Sequence, residues 1–188
     1  MIEVLRAAEE LEQFCAAQGW RACLIGGLAV QRWGEARETI DVDLTLLTGF
    51  GGEAPFIQAL LGRFEPRVEQ AGAFALQHRV LLLRARSGVG LDIALAGLPF
   101  EELVVARSSV FRFPTDVRLR TCSAEDLLVL KAFADRPKDW LDVEGILIRQ
   151  TGKLDWAYIW RQLRPLVELK ETPEILDGLE RRRREFEQ

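Results

Sequence analysis

The chain has 188 residues, enough for one compact domain or for one domain with a small appendage. Hydrophobic residues make up 48% and charged residues 29%, which predicts an ordinary core and charged surface and argues against disorder. The formal net charge of −4 argues against a protein that coats nucleic acid without sequence preference, because such proteins are usually basic. His78 is the single histidine, so a His-rich metal site is excluded.

The sequence also bears on the cellular compartment. No apolar run is long enough to span a bilayer, and the N-terminal segment carries acids where a signal peptide would carry bases. Cys15, Cys23 and Cys122 are an odd, scattered set without a CxxC spacing. We therefore expect a cytoplasmic protein with buried, reduced thiols, no membrane partner and no zinc site.

The first two-thirds of the chain predict an α/β arrangement. Apolar and polar residues alternate over 39–47, which is typical of a half-buried strand, and Ser87-Gly88 predicts a hairpin turn. The predicted elements are a helix over 2–18, a strand over 21–25, a helix over 28–33, a strand over 39–47, a helix over 55–64, strands over 79–86 and 89–95, a helix over 99–106, and strands over 110–113 and 117–121.

After Cys122 the pattern becomes helical. Ser123 to Asp126 resembles a capping box, and Thr151-Gly152 separates two helices. Helices are predicted over 127–134, 137–149, 155–169 and 173–186. The sequence thus predicts an α/β core over 1–122, with a small mixed sheet flanked by helices, and a helical subdomain over 123–188 packed on the core.

Three acidic residues are candidates for chemistry. Asp41 and Asp43 are two residues apart on a predicted strand, so their side chains share one face with Cα atoms roughly 6–7 Å apart. Asp92 lies on a later strand that could run beside them. Three carboxylates suit a two-metal centre for phosphoryl-type displacement, since Mg²⁺ prefers oxygen ligands. The alternative is ordinary outward-facing polar residues on an alternating strand.

Gly26 and Gly27 follow a predicted strand and open a short helix. Backbone amides at such a turn can approach phosphates, and a helix N-terminus favours anions. The alternative is a tight turn that only requires a positive φ. The two glycines alone do not decide between these interpretations.

The order and spacing of these features resemble a known family. The run from Leu24 to Val30, followed by Arg37-Glu-Thr-Ile-Asp-Val-Asp-Leu44, resembles the first motif of the DNA-polymerase-β-like nucleotidyltransferase superfamily. Its Arg-x-Thr lead-in is similar to AbiEii-like toxin nucleotidyltransferases. The block from Leu127 to Asp142 looks like the third motif of that group, and Leu154-Asp-Trp156 is similar to its last motif.

The resemblance implies the polymerase-β-like fold and a role for each matching residue. Asp41, Asp43 and Asp92 would bind Mg²⁺ or Mn²⁺, and Asp92 would help to activate an acceptor hydroxyl. Phosphates of the NTP would be held by a second set, namely Gly26, Gly27, Arg37, Thr39 and Lys131. Supporting positions would be Lys138, Asp139 and Asp142.

Several of these positions have simpler explanations. Lys131 follows a Leu-rich helical run, so its stem could merely cover apolar surface while its ammonium reaches water. Asp139 and Asp142 share a helix face and are close in sequence to basic residues, which favours a structural ion-pair network. Gly27 departs from the serine of many family members and offers only its backbone N–H to a phosphate.

The expected activity is transfer of a nucleoside monophosphate from an NTP to an acceptor hydroxyl. By resemblance the acceptor is the end of a tRNA, a protein or a small molecule, and a toxin of this kind would have a cognate antitoxin. Two alternatives stay open. One is a nucleotide-binding module that transfers nothing, and the other is a scaffold whose acids only decorate the sheet.

Overall fold

The computed structural model describes residues 1–186 and divides the chain into two compact units. Unit 1 comprises Met1–Leu28 and Glu38–Cys122. Unit 2 comprises Ala29–Arg37 and, among the described residues, 123–186. Residues 29–37 therefore lie in the same unit as the C-terminal helices, and the predicted division of the chain into a core over 1–122 and a helical subdomain stays a prediction.

Unit 1 is built on a mixed sheet with strand order β3-β4-β5-β2-β1-β7-β6. Its strands are β1 (Ala22–Leu24), β2 (Asp41–Leu47), β3 (Glu65–Pro66), β4 (Val80–Arg84), β5 (Gly90–Ala96), β6 (Ser109–Arg112) and β7 (Arg118–Thr121). The pairs β2·β5 and β1·β7 are parallel, and the other neighbours are antiparallel. The predicted mixed sheet flanked by helices is confirmed.

Helices cover this sheet because its strands present continuous apolar faces. The helices that lie in unit 1 are α1 (Ile2–Ala17), α3 (Ala54–Leu61), α4 (Ala71–His78) and α5 (Pro99–Ala106), and the first turn of α2 (Gly26–Trp33) also belongs to it. Leu44, Leu83, Leu91 and Ile93 are at most 1% exposed. Fully burying side chains of this size contributes about 1.5–3 kcal/mol each.

Four features differ from the sequence-based prediction. Residues 65–66 form β3 and residues 71–78 form α4, although no element was predicted between 65 and 78. Gly26 and Gly27 lie inside α2 rather than before it, and β2 begins at Asp41 rather than at Thr39. The predicted hairpin is present, since β4 and β5 pair antiparallel around Ser87-Gly88.

Unit 2 contains the helices α6 (Ala124–Ala134), α7 (Pro137–Arg149), α8 (Trp156–Lys170) and α9 (Glu174–Phe186). Ser123 caps α6, because its Oγ accepts a hydrogen bond from the backbone N–H of Asp126 at 3.1 Å. Asp155 caps α8 by accepting from the backbone N–H of Tyr158 at 2.9 Å. These caps explain where the two helices begin.

Two expectations from composition can be compared with this fold. Within residues 1–186, no helix is both long and apolar enough to cross a membrane. All three cysteines lie in this part of the chain, are buried and form no disulfide. Burial raises the pKa of the Cys15 thiol to about 12, so that thiol stays protonated at neutral pH.

Candidate active site

Alternation along β2 sets the direction of its acidic side chains. Val42 and Leu44 are at most 1% exposed and point into the core of unit 1. Asp41 and Asp43 lie on the opposite face and are half-buried. The strand therefore forms because one face is apolar, and the same alternation leaves two carboxylates side by side on the other face.

The register between β2 and β5 brings the third acidic residue beside them. In this parallel pair Asp43 lies opposite Asp92, and Asp41 lies opposite Gly90. Neighbouring strands are about 4.8 Å apart, and Asp92 and Asp43 occupy the same face. Asp41, Asp43 and Asp92 thus form one group, which we call the acid face. Their role in metal binding and catalysis stays a prediction.

The two glycines of α2 pack directly against the acid face. Gly26 has a φ of +55°, and a Cβ at this position would lie 1.9 Å from Asp43 Oδ2. The backbone N–H of Gly27 donates to Asp43 Oδ2 at 3.3 Å. Only glycine combines this positive φ with so close an approach, so the start of α2 is shaped around the Asp43 carboxylate.

Thr39 explains why position 27 is glycine. A Cβ on Gly27 would lie 2.3 Å from Thr39 Oγ1, so the threonine side chain fills the space that a larger residue would need. Thr39 is 5% exposed, and its hydroxyl lies 3.2 Å from the main-chain oxygen of Asp41 and 3.4 Å from its Oδ1. Thr39 thus orients Asp41 from just outside the strand.

Arg67 also reaches the acid face, and the sequence did not indicate it. Its Nη2 contacts Asp92 Oδ1 in an ion pair whose side chains are 26% and 31% exposed. A Cβ on Gly90 would lie 2.7 Å from Arg67 Nη1, so the guanidinium crosses the strand at a glycine. Arg67 follows the two-residue strand β3, which is too short to give a periodic signal.

The acid face has the donor atoms of a magnesium site but not a closed set of ligands. Within residues 1–186, no group of three or more His, Cys, Asp or Glu side chains is arranged to hold a metal ion. Carboxylate oxygens are nevertheless the donors that Mg²⁺ prefers, and a cationic guanidinium already pairs with Asp92. The residues therefore fit a hard cation in type and in charge.

A second cluster of charges lies within unit 2 and contains the remaining predicted residues except Lys138. Lys131 is 7% exposed, and its Nζ lies 2.9 Å from Asp139 Oδ1 and 2.8 Å from Asp142 Oδ2. Arg37 binds both oxygens of Asp142, at 2.7 and 2.9 Å. Arg136 pairs with Asp139. We call these five residues the paired cluster.

Burial and pairing act in opposite directions on the acids of the paired cluster. Burial favours a raised pKa for Asp139, but hydrogen bonds and charge from Arg136 and Lys131 outweigh it and hold the pKa below its usual value. The pKa of Asp142 is likewise lowered, because Arg37 and Lys131 outweigh its burial. Both carboxylates are therefore ionised at neutral pH and stabilise unit 2.

The predicted site residues thus fall into two groups, one in each unit. Unit 1 holds the acid face with Gly26, Gly27 and Thr39. Unit 2 holds Arg37, Lys131, Asp139 and Asp142 in the paired cluster, and Lys138 is exposed on α7. The two hydrogen bonds between Arg37 and Asp142 join residues that are 105 positions apart in sequence. Their functional roles stay predictions.

Comparison with known proteins gives a fold relationship. The sequence matches no protein-family model and no curated protein sequence. Among solved structures, the chain is similar to an antigenic nucleotidyltransferase-like protein from Paracoccidioides brasiliensis, with a TM-score of 0.53 and 17% identity over 95% of this chain and 92% of that one.

Two proteins whose names refer to antibiotics have similar folds. The lincosamide antibiotic adenylyltransferase LnuA, with lincomycin bound, gives a TM-score of 0.50 at 17% identity over 73% of this chain and 92% of that one. The antibiotic-resistance factor ANT(2'')-Ia gives a TM-score of 0.51 at 15% identity over 90% of this chain and 94% of that one. At such identities the similarity establishes the fold alone, and that fold is the one found in nucleotidyltransferases.

Proposed function

We propose that this protein is a metal-dependent nucleotidyltransferase that moves a nucleoside monophosphate from an NTP to an acceptor hydroxyl. The observation that carries the proposal is the acid face, where Asp43 and Asp92 are direct neighbours in a parallel register and Asp41 lies two residues along the same strand. Like charges so close together repel one another, and a cation offsets this cost.

The chain's own residues would perform distinct tasks. Asp41, Asp43 and Asp92 would hold Mg²⁺ or Mn²⁺, and Asp92 would accept the proton of the acceptor hydroxyl as its oxygen attacks the α-phosphate and the bond to pyrophosphate breaks. A bound metal would supply charge stabilisation for the attacking and leaving oxygens. Gly26 and Gly27 would offer backbone amides to the phosphates from the start of α2.

The basic residues of unit 2 fit a supporting task better than direct phosphate contact. Lys131 is 7% exposed and pairs with two carboxylates, and Arg37 binds Asp142 through two nitrogens. Releasing either cation to a phosphate would leave a buried carboxylate short of a partner. We therefore assign Arg37 and Lys131, together with Asp139 and Asp142, to positioning within unit 2.

The acceptor is proposed to be a small molecule, a tRNA end or a protein. Small molecules are favoured because LnuA and ANT(2'')-Ia, which share the fold, are named for action on antibiotics or resistance to them. From the resemblance to AbiEii-like toxins we also propose that this protein is a cytoplasmic toxin restrained by a cognate antitoxin. A catalytically weak nucleotide-binding module is the second candidate, since Asp92 is already paired with Arg67.

A thermal melt tests the proposed function. Wild type and Asp41→Asn/Asp43→Asn are heated with and without Mg²⁺ and each NTP in turn. We expect a rise in Tm with metal and the preferred NTP that is lost in the double variant, because a ligand that binds only the folded state stabilises it. Asp116→Asn/Glu102→Gln, which neutralises two exposed acids of unit 1, should keep the wild-type response.

The melt is followed by a transfer assay. Radiolabelled NTP is offered with Mg²⁺ or Mn²⁺ to a mixed tRNA preparation, to protein and to aminoglycoside and lincosamide antibiotics. Label on one acceptor class identifies the substrate. A metal-dependent Tm shift without any label transfer would favour the binding module, and no shift with any nucleotide would contradict both candidates.

A further inference from the structure

Arg67 is held next to the acid face by the sheet itself. Its backbone N–H donates to the main-chain oxygen of Leu82 at 3.0 Å, immediately after Pro66 pairs with Leu83 on β4. The residue thus continues the line of the edge strand β3 rather than belonging to a free loop. A side chain that starts from such an anchored backbone loses less conformational entropy when it settles in one place.

Gly90 provides the path by which the guanidinium reaches Asp92. A Cβ at this position would lie 2.7 Å from Arg67 Nη1 and 3.6 Å from the Cβ of Asp41. Gly90 is also the residue opposite Asp41 in the β2·β5 register, two positions before Asp92 on the same face. The guanidinium therefore lies beside Asp41 and pairs with Asp92, inside the acid face.

The guanidinium of Arg67 does not use all of its hydrogen-bond donors. Arginine often binds a carboxylate through two parallel hydrogen bonds, but Arg67 contacts Asp92 through Nη2. Its Nε is buried and has no hydrogen-bond acceptor within the described residues. A buried donor without an acceptor costs free energy, which offsets part of what the ion pair contributes. A competing cation therefore does not have to displace an optimal pair.

We infer that Arg67 is a built-in counter-cation of the acid face that competes with the divalent cation for Asp92. This inference rests on the proposed function, because it requires that the acid face binds a metal. In the protein without metal, the guanidinium reduces the repulsion among Asp41, Asp43 and Asp92. Metal binding must then displace Arg67, so the affinity of the acid face for a metal without nucleotide is lowered.

Mn²⁺ binding to the full chain, measured by EPR titration without nucleotide, tests the competition. Arg67→Met keeps an unbranched side chain about as long as the aliphatic stem of arginine and removes the charged guanidinium. We expect this variant to bind Mn²⁺ about 5-fold or more tightly than wild type, the lower end of a typical coupling between two ligands. Arg63→Met is the matched control, because Arg63 pairs with Glu10 at 35% and 28% exposure in the same unit. Its affinity should equal that of wild type.

A second variant displaces the guanidinium without removing it. Gly90→Ala places a methyl group against Nη1, the flexible end of Arg67, and should also tighten Mn²⁺ binding. It keeps the inference testable if Arg67→Met does not fold. Each variant's fold is checked by circular dichroism and by a single cooperative melt.

The outcomes separate the inference from the proposed function. Unchanged or weaker Mn²⁺ binding in both Arg67→Met and Gly90→Ala would overturn the inference, and the proposed function would survive if Asp41→Asn/Asp43→Asn still abolished binding. Absence of Mn²⁺ binding in every variant and in wild type would overturn both. Tighter binding in Arg63→Met as well would overturn the inference too, since a general loss of positive charge would then explain the effect.

Discussion

Both units bring carboxylates together, but they bury them to different degrees. In unit 2, Asp139 and Asp142 are at most 4% exposed, and each pairs with two cations. In unit 1, the acid face is half-buried, and Arg67 pairs with Asp92. Buried charges are tolerated only when fully paired, whereas partly exposed charges can remain available to a ligand.

This difference separates structural acids from candidate catalytic acids. When each buried carboxylate is paired with cationic side chains, its negative charge is already neutralised. A metal ion then has little charge left to bind. Half-buried carboxylates on a strand face, beside the glycine turn that begins α2, can offer their oxygens to a bound cation. The comparison predicts opposite responses to mutation in the two units.

Removing the shared cation of the paired cluster should cause the largest loss of stability. Lys131→Met leaves Asp139 and Asp142 buried with one cation fewer, and breaking a buried ion pair in this way costs about 3–5 kcal/mol. The free energy of unfolding, measured by urea denaturation at neutral pH, should fall by that amount.

Lys138 provides the matched control for this experiment. It lies on α7 in the same unit and is exposed. Lys138→Met should change the free energy of unfolding by no more than about 0.5 kcal/mol, as expected of surface substitutions. If Lys131→Met were equally mild, the paired cluster would not be structural, and a phosphate-binding role for Lys131 would regain support.

Disrupting the contact between α2 and the acid face should cause the next largest loss of stability. Gly26→Ala must adopt a φ of +55° and must also displace the Asp43 carboxylate. Placing alanine at a positive φ costs about 1–2 kcal/mol, and displacing the carboxylate costs at least about 1 kcal/mol more. Gly19→Ala is the control, since Gly19 has a φ of +70° and nothing within 4 Å of its added Cβ.

The difference between the two glycine variants isolates the approach to Asp43. In Gly19→Ala the free energy of unfolding, measured by urea denaturation, should fall only by the cost of placing alanine at a positive φ. In Gly26→Ala the free energy of unfolding should fall further under the same conditions. The rise in its Tm with metal and NTP should also be smaller than in wild type. Equal losses in the two variants would show that the close approach of Gly26 to Asp43 carries no energetic weight.

Much of the fold could be predicted because local patterns and burial agree. Strand β2 alternates between buried Val42 and Leu44 and half-buried acids, so periodicity revealed both the strand and its polar face. Helix α4 was missed because two alanines, Ala71 and Ala75, are its buried residues, so its apolar face gives a weak signal. Its two ends are left-handed residues other than glycine, so the usual stop signal is missing.

The candidate site was predictable in its acids and glycines but not in its contacts. Spacing along one strand indicates that Asp41 and Asp43 share a face, whereas the register that puts Asp92 opposite Asp43 depends on strand order. Arg67 reaches Asp92 across strands, and Arg37 meets Asp142 over a separation of 105 residues. Such pairings are tertiary information that one sequence's periodicity does not contain.

Acid should weaken unit 2 through its paired carboxylates. The pKa values of Asp139 and Asp142 are lowered in the folded protein from an ordinary value of 3.8. Between the folded and ordinary values the unfolded chain binds more protons, so stability present above this range is lost as the pH falls through it. The loss is at most about 1.4 kcal/mol per pH unit for each carboxylate.

Urea denaturation over a series of acidic pH values measures this slope. Asp142→Asn removes one of the two titrating groups, so its free energy of unfolding should depend less steeply on pH below about pH 4. Glu102→Gln, which neutralises an exposed acid of unit 1, should leave the slope as in wild type. A slope that is the same in all three proteins would contradict the stabilising role of the paired cluster.

The smallest effect is expected where function rather than stability is proposed. Without divalent cations, Asp41→Asn/Asp43→Asn should unfold with a free energy equal to that of wild type or up to about 1 kcal/mol higher, because repulsion among like charges is relieved. An asparagine Oδ1 can still accept the hydrogen bonds from Thr39 and from the N–H of Gly27. A loss greater than about 1 kcal/mol would mean that these acids stabilise the fold as those of unit 2 do. Because the same variant is expected to lose its Tm response to metal and NTP, unchanged stability with a lost response would separate ligand binding from folding at the acid face.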